Sequence, residues 1–217
     1  MFPIAATIVA VVFAVITWRA ARPQEVALRI WSVAIAQFGI ATAALAWGIA
    51  FGWTPLVYRI FYLTGAVLNV AWLALGTVWL LAPRALAMVL NVLFVVAFTI
   101  ASAFVMSTEL RSETALRGAL PAPGDVMADI PRTLSRVYSI VGSTVVLVGL
   151  LWAIARRRHV LGLGLLALGV LIAGVASAMV RAGRVEAFSA GLAIGIAVMC
   201  AGFMRTRRRP ASASAGG

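Results

Sequence analysis

Polar and aromatic side chains recur every three or four residues along the apolar stretch 56–82. Steps of three and four residues bring side chains to one face of a helix, so we predict that this face points into a helical bundle. The stripe comprises Tyr58, Tyr62, Gly65, Asn69, Trp72, Gly76 and Trp79.

Asn69 is the most polar member of this stripe. It lies about 13 residues from one end of the stretch, which at ~1.5 Å per residue puts its amide ~20 Å deep, near the bilayer middle. An unsatisfied amide in hydrocarbon costs several kcal/mol. Two interpretations follow: the amide lines a solute path, or it hydrogen-bonds a neighbouring helix for about 1 kcal/mol.

Two further amides lie in neighbouring apolar stretches, Gln37 in 31–52 and Asn91 in 85–106. Each is about seven residues from the end of its stretch and hence ~10 Å deep, so we expect the two to share a polar layer. The predicted polar path or pocket consists of Tyr58, Tyr62, Asn69, Trp72, Gln37 and Asn91.

A second predicted site lies where the apolar stretches end. Arg59, Arg181 and Glu186 could gather near Tyr58 at the outer mouth of the bundle. An arginine held in a vestibule can recognise an anion. The alternative is that each arginine reaches towards lipid headgroups.

The residues that catalysis and cofactor binding require are scarce. The chain has no lysine, which excludes a retinal Schiff base, and His159 and Cys200 are the only histidine and cysteine. No carboxylate is predicted to be embedded in the membrane, since Glu186 stands at the very start of its apolar stretch, and no motif of a hydrolase or of a phosphate-binding loop occurs. We therefore predict no enzymatic activity, no metal and no cofactor, and movement of a solute without strong coupling to protons.

The overall composition indicates a polytopic membrane protein. Of 217 residues, 64% are hydrophobic and 11% charged, whereas soluble domains are about a quarter charged. One span uses about 20 apolar residues. We therefore predict an all-α integral membrane protein with seven transmembrane helices, at about 2–18, 31–52, 56–82, 85–106, 137–155, 160–181 and 186–204. Residues 1–209 would form one membrane domain, and 210–217 a disordered tail.

Arginine placement predicts the orientation of these helices, because basic residues stay on the cytoplasmic side. One set of connections holds Arg19, Arg22, Arg29, Arg84, Arg156, Arg157, Arg158, Arg205, Arg207, Arg208 and Arg209, with only Glu25 as an acidic residue. The other holds Arg59, Arg111, Arg117, Arg132, Arg136, Arg181 and Arg184, with the remaining five acidic residues. The N-terminus is therefore predicted outside and the C-terminus in the cytoplasm. Topology also explains the net charge of +12 without nucleic acid as a partner.

The connection 107–136 is the only long one, and this orientation puts it outside. Glu109, Glu113 and Arg117 recur at four-residue spacing, which predicts a short charged helix extending the fourth span. Val126 and Ile130 follow a proline-rich turn and could form, with Leu134, an apolar edge on the bilayer or over the bundle mouth. A loop of this length is either functional or a plain connector.

An internal repeat is also predicted. Gly65 and Gly76 in the third stretch match Gly191 and Gly202 in the seventh, both at an offset of 126 residues. Spans one to three and five to seven would then be parallel repeats, with span four as the linker. Chance similarity between glycine-rich helices is the alternative.

Together these patterns favour a small facilitator, permease or channel for a small solute. The alternative is a ligand sensor or accessory subunit that acts through a membrane-protein partner. The absence of lysine suggests GC-rich coding, so we expect the plasma (inner) membrane of a bacterium, with the lipid bilayer as a constant partner.

Overall fold

A computed structural model of the chain describes residues 2–112, 114–117, 120–157, 160–181 and 184–207. In these residues it contains seven helices long and apolar enough to cross a membrane, which confirms that part of the fold prediction. They are α1 (Phe2–Ala20), α2 (Val26–Phe51), α3 (Pro55–Leu81), α4 (Arg84–Ser107), α5 (Asp129–Ala155), α6 (Val160–Arg181) and α7 (Val185–Arg207).

The helix ends follow from local residue chemistry. Gly52 adopts a φ of 92°, a conformation that suits glycine, and it ends α2. The Thr54 hydroxyl accepts a hydrogen bond from the Val57 amide, and Pro55 occupies the first turn of α3. Pro83 separates α3 from α4 in a tight hairpin.

The bundle has two distinct ends. We call the end that carries residues 108–128 the loop end; it contains a 3₁₀ turn, Thr114–Leu116, and a one-turn helix, Pro123–Val126. We call the opposite end, where α1, α3, α5 and α7 finish, the arginine-rich end. The odd-numbered helices thus run from the loop end to the arginine-rich end, and the even-numbered helices run back.

Two helices organise the packing. α3 packs against α2, α4 and α5, and α7 packs against α6, α1 and, more lightly, α2. Close approach depends on small residues: a Cβ on Gly142 of α5 would lie within 3.0 Å of the Val70 carbonyl of α3, and one on Gly169 would meet α7 at the Gly195 carbonyl. α4 is peripheral, and most of its apolar side chains are exposed.

α3 departs from α-helical geometry in its first half. Residues Tyr62–Leu68 form a π-helix between two α-helical segments. A π-helix makes wider turns, is rare, and is frequent at functional sites. At this segment a Cβ on Gly65 would lie 3.2 Å from the Cβ of Ala41, so α2 and α3 are in close contact there.

The structure also corrects three predicted boundaries. α2 begins at Val26 and α5 at Asp129, five and eight residues before the predicted starts. The apolar stretches were predicted to start after the charged residues that the first turns of these helices contain. The predicted charged extension of the fourth span is wrong: α4 ends at Ser107, and Thr108 is extended. Glu113 and the tail 210–217 lie outside the described residues.

Candidate functional site

Two stripe tyrosines lie at the loop end, where Tyr58 bonds the long connection and Tyr62 bonds the first turn of α5. The Tyr58 hydroxyl donates a hydrogen bond of 3.3 Å to the Pro121 carbonyl, and the Tyr62 hydroxyl donates one of 3.4 Å to the Pro131 carbonyl. Both tyrosines are buried, and their rings stack with centroids 6.3 Å apart. Trp53 packs edge-on against Tyr58 at 5.6 Å. The predicted outer part of the path is therefore covered by the connection.

The connection is itself packed and hydrogen-bonded. Val126 and Met127 are 0% and 1% exposed, so they are part of the core. The Arg111 amide donates to the Val126 carbonyl at 2.9 Å, and the Arg111 guanidinium pairs with the Asp129 carboxylate at 2.6 Å. Of the predicted apolar edge, Val126 is buried and Ile130 is 53% exposed. We call the described residues of the connection 108–128 the lid, because they cover the loop end of the bundle.

Two of the predicted amides lie on the helix faces where α2 contacts α3. The Asn69 side-chain nitrogen donates a hydrogen bond of 3.0 Å to the Ala34 carbonyl, and Asn69 is buried. Gln37 lies between Ala34 and Ala41 on the stripe of α2 that meets α3. The Gln37 side-chain oxygen is buried and accepts a hydrogen bond from no described residue.

Two other residues of the predicted path, Trp72 and Asn91, lie elsewhere: Trp72 is at the contact between α3 and α4, and Asn91 is on α4. Trp72 lies at the edge of the stripe and faces α4, where its ring is 4.8 Å from that of Phe94 and 5.9 Å from that of Phe98. Asn91 is on α4, and no described hydrogen bond joins it to Gln37. The structure thus brings Gln37 and Asn69 to one interface and does not join Asn91 to them.

The predicted anion site has only one residue with described partners. The Arg59 guanidinium donates to the carbonyls of Met106 and Thr108, at 2.6 and 2.9 Å, and so caps the C-terminal end of α4. Glu186 is exposed in the first turn of α7. The side chain of Arg181 lies outside the described residues, and no described ion pair links Arg59 to Glu186.

Sequence reasoning missed how α5 supports the π-helix of α3. The Ser135 and Ser139 hydroxyls both donate to the Ala66 carbonyl, at 2.9 and 3.5 Å. A π-helix leaves carbonyl groups less regularly paired than an α-helix does, so external donors stabilise it. The signal in the sequence is a serine pair at four-residue spacing.

In chemical terms the site consists of the buried Asn69 amide and the buried Gln37 side-chain oxygen, both at the contact between α2 and α3. Amides can exchange hydrogen bonds with a neutral polar solute, and they supply no charge and no proton transfer group. No family model matches the chain, and no curated protein or solved structure matches it either.

Proposed function

We propose that the protein is a facilitator for a small neutral solute that carries hydrogen-bond donors, with its path between α2 and α3. The observation that carries this proposal is the Gln37 side-chain oxygen, which is buried without a described donor on the face of α2 that meets α3. A buried acceptor without a donor costs free energy, so a passing solute or water that donates to it is favoured.

The lid fits this function as the outer gate. Tyr58 holds residue 121 of the lid through one hydrogen bond, and Tyr62 holds residue 131, in the first turn of α5 beside the lid, through another. Bonds of this kind contribute about 1 kcal/mol each, so they can break and re-form during transport. The π-helix, which begins at Tyr62, gives α3 a segment that can change its winding.

The proposed orientation puts the N-terminus and the lid outside and the arginine-rich end in the cytoplasm. It rests on the arginine distribution. We propose the plasma membrane of a bacterium as the location, because a chain without lysine suggests GC-rich coding. The lid then faces the medium from which a solute enters.

We also propose that the bundle is a 3+1+3 parallel repeat, and its helix contacts support this. Gly65 and Gly76 of α3 both meet α2, whereas Gly191 and Gly202 of α7 both meet α6. In a two-fold repeat α1 corresponds to α5 and α3 to α7. The contact of α3 with α5 then corresponds to the contact of α7 with α1, and both contacts are present. The peripheral α4 would be the linker.

Cysteine accessibility tests the proposed path without knowledge of the solute. In a Cys200→Ser background, Gln37→Cys should react with a membrane-impermeant methanethiosulfonate, because thiolate forms only in contact with water. Ile40→Cys is the matched control, since Ile40 lies on α2 at similar depth and is 48% exposed towards the surroundings of the bundle. Thr114→Cys in the lid is the positive control. Equal inertness of the Gln37→Cys and Ile40→Cys proteins would contradict a path at Gln37.

Solute flux tests the function itself. Proteoliposomes containing the protein should swell faster than empty liposomes in isosmotic urea or glycerol, as followed by light scattering. Gln37→Leu and Asn69→Leu should slow the swelling, whereas Ile40→Leu should not. Wild-type swelling no faster than that of empty liposomes with both probes would refute the proposal.

A second function is favoured by α4. In its most apolar stretch 11% of the residues are buried, against 50% for α3, so α4 offers a long apolar face to lipid or to another protein. An accessory subunit would use such a face to bind a membrane-protein partner. Leu93→Trp and Val92→Trp, both on exposed positions, should then release a partner that co-purifies in mild detergent. Isolation of the wild-type chain alone would argue against this function.

A further inference from the structure

An arginine with an unusual environment lies at the corner between α1 and α2, at the arginine-rich end. The Arg29 guanidinium carbon lies 5.6 Å from the centre of the Trp18 ring. The Arg29 Nε atom is buried and donates a hydrogen bond to no described residue. Trp18 is 52% exposed at the end of α1. The guanidinium is thus held by a ring face and has unused donors.

No carboxylate among the described residues forms an ion pair with a guanidinium group of this corner. Glu25 is the only acidic residue near it in sequence, and the Glu25 carboxylate accepts a hydrogen bond from the Arg22 amide at 2.8 Å. The ion pairs in the described residues both involve Asp129, at the opposite end of the bundle. Arg19, Arg22 and Arg29 therefore concentrate positive charge without a described anionic partner.

We propose that this corner, formed by Trp18, Arg19, Arg22 and Arg29, binds the phosphate group of an anionic phospholipid. A guanidinium presents planar donors that match two phosphate oxygens, and an indole held at the end of a span lies at headgroup level. Each arginine near an anionic membrane surface adds about 1 kcal/mol of attraction.

The surface of α1 argues for a lipid over free phosphate. Ile8, Val12, Val15 and Ile16 are each between 43% and 59% exposed, and they continue from Trp18 towards the middle of the helix. An acyl chain can lie along this aliphatic face while the headgroup meets the arginines. Free phosphate would use only the charged corner.

The chain contains a matched control for this site. The Arg156 guanidinium lies 4.9 Å from the centre of the Trp152 ring, and Trp152 is 51% exposed, so the pairing is similar. Both residues belong to one helix end, and Arg156 has no buried nitrogen without a partner among the described residues. Arg156→Gln therefore removes the same charge and the same kind of ring contact, without the interhelix corner.

The test titrates the full chain in mild detergent with phosphatidylglycerol, phosphatidylcholine and inorganic phosphate. Thermal unfolding reports stabilisation, and native mass spectrometry counts retained lipid. We expect phosphatidylglycerol to be retained and to raise the Tm, and Arg29→Gln to weaken its apparent affinity about ten-fold, or about 1.4 kcal/mol. The apparent affinity of the Arg156→Gln protein for phosphatidylglycerol should stay within about two-fold of wild type, because an isolated exposed charge contributes little.

Three outcomes would overturn the proposal. Equal weakening by Arg29→Gln and Arg156→Gln would indicate general charge attraction. Equal stabilisation by phosphatidylcholine would remove the need for an anionic lipid, and equal stabilisation by inorganic phosphate would make free phosphate the ligand. Should Arg29→Gln fail to fold, Arg29→Lys keeps the charge without the planar donors and should still bind phosphatidylglycerol less tightly than wild type.

Discussion

The indole nitrogen of Trp31 donates a hydrogen bond of 3.1 Å to the Leu73 carbonyl, which joins α2 to α3. The same ring stacks on Phe203 of α7, with centroids 4.9 Å apart and planes within 20°. Trp31 is 0% exposed, and Gly76 leaves the space that its indole occupies. One side chain thus connects the two helices that organise the bundle.

Gly76→Ala should therefore destabilise the protein, because the added Cβ would overlap the Trp31 indole. Overpacking of this kind costs about 1–3 kcal/mol, and thermal unfolding in detergent measures it. Gly174→Ala is the control, since no atom lies within 4 Å of a Cβ built there. A Gly76→Ala protein as stable as the control would mean that Trp31 can move aside.

The two amides should respond differently to removal. Asn69→Leu removes the hydrogen bond to the Ala34 carbonyl, so it should cost about 1 kcal/mol. Gln37→Leu removes an acceptor without a described donor, so stability should stay unchanged or rise while solute flux falls. Unfolding of both variants in mixed micelles measures the difference. A cost for Gln37→Leu as large as that for Asn69→Leu would show that Gln37 has a structural partner.

Tyr58→Phe should loosen the lid, because the buried hydroxyl no longer reaches the Pro121 carbonyl. A loss of about 0.5–1.5 kcal/mol corresponds to a lid that opens up to about ten times more often. Trypsin cleavage after Arg117, which is exposed in the lid, reports the opening. Tyr138→Phe is the control, since no described residue bonds its hydroxyl. An unchanged rate of cleavage in the Tyr58→Phe protein would show that the hydrogen bond to Pro121 does not hold the lid closed.

The exposed ion pair between Arg111 of the lid and Asp129 of α5 should contribute less to the stability of the closed lid than the Tyr58 hydrogen bond does. The Arg111 and Asp129 side chains are 45% and 73% exposed, and surface pairs contribute about 0–1 kcal/mol. Asp129→Asn should therefore change trypsin cleavage less than Tyr58→Phe does, and added salt should reproduce its small effect. A larger effect of Asp129→Asn would reverse this order.

The sequence was sufficient to predict how many helices in the described residues are long and apolar enough to cross a membrane, because apolar length alone identifies them. It also identified Asn69 and Gln37 as amides on helix faces, but not their partners. The single stripe of α3 was an incomplete prediction: Tyr58 bonds the lid, Tyr62 bonds the first turn of α5, and Trp72 meets α4. A regular helical period does not reveal a π-helix, which depends on donors such as Ser135 from a distant segment.

The π-helix of α3 has a consequence for how this chain tolerates changes in length. A regular helix turns by about 100° per residue, so deleting one residue would normally rotate everything beyond it by that angle. In Tyr62–Leu68 the wider turns already hold a surplus residue, and a deletion there can be absorbed by a return to α-helical winding. The α-helical segments of α3 before and after the π-helix would then keep their packing partners. Gene variants one codon shorter in this segment should thus be more easily tolerated than equal deletions at 70–80.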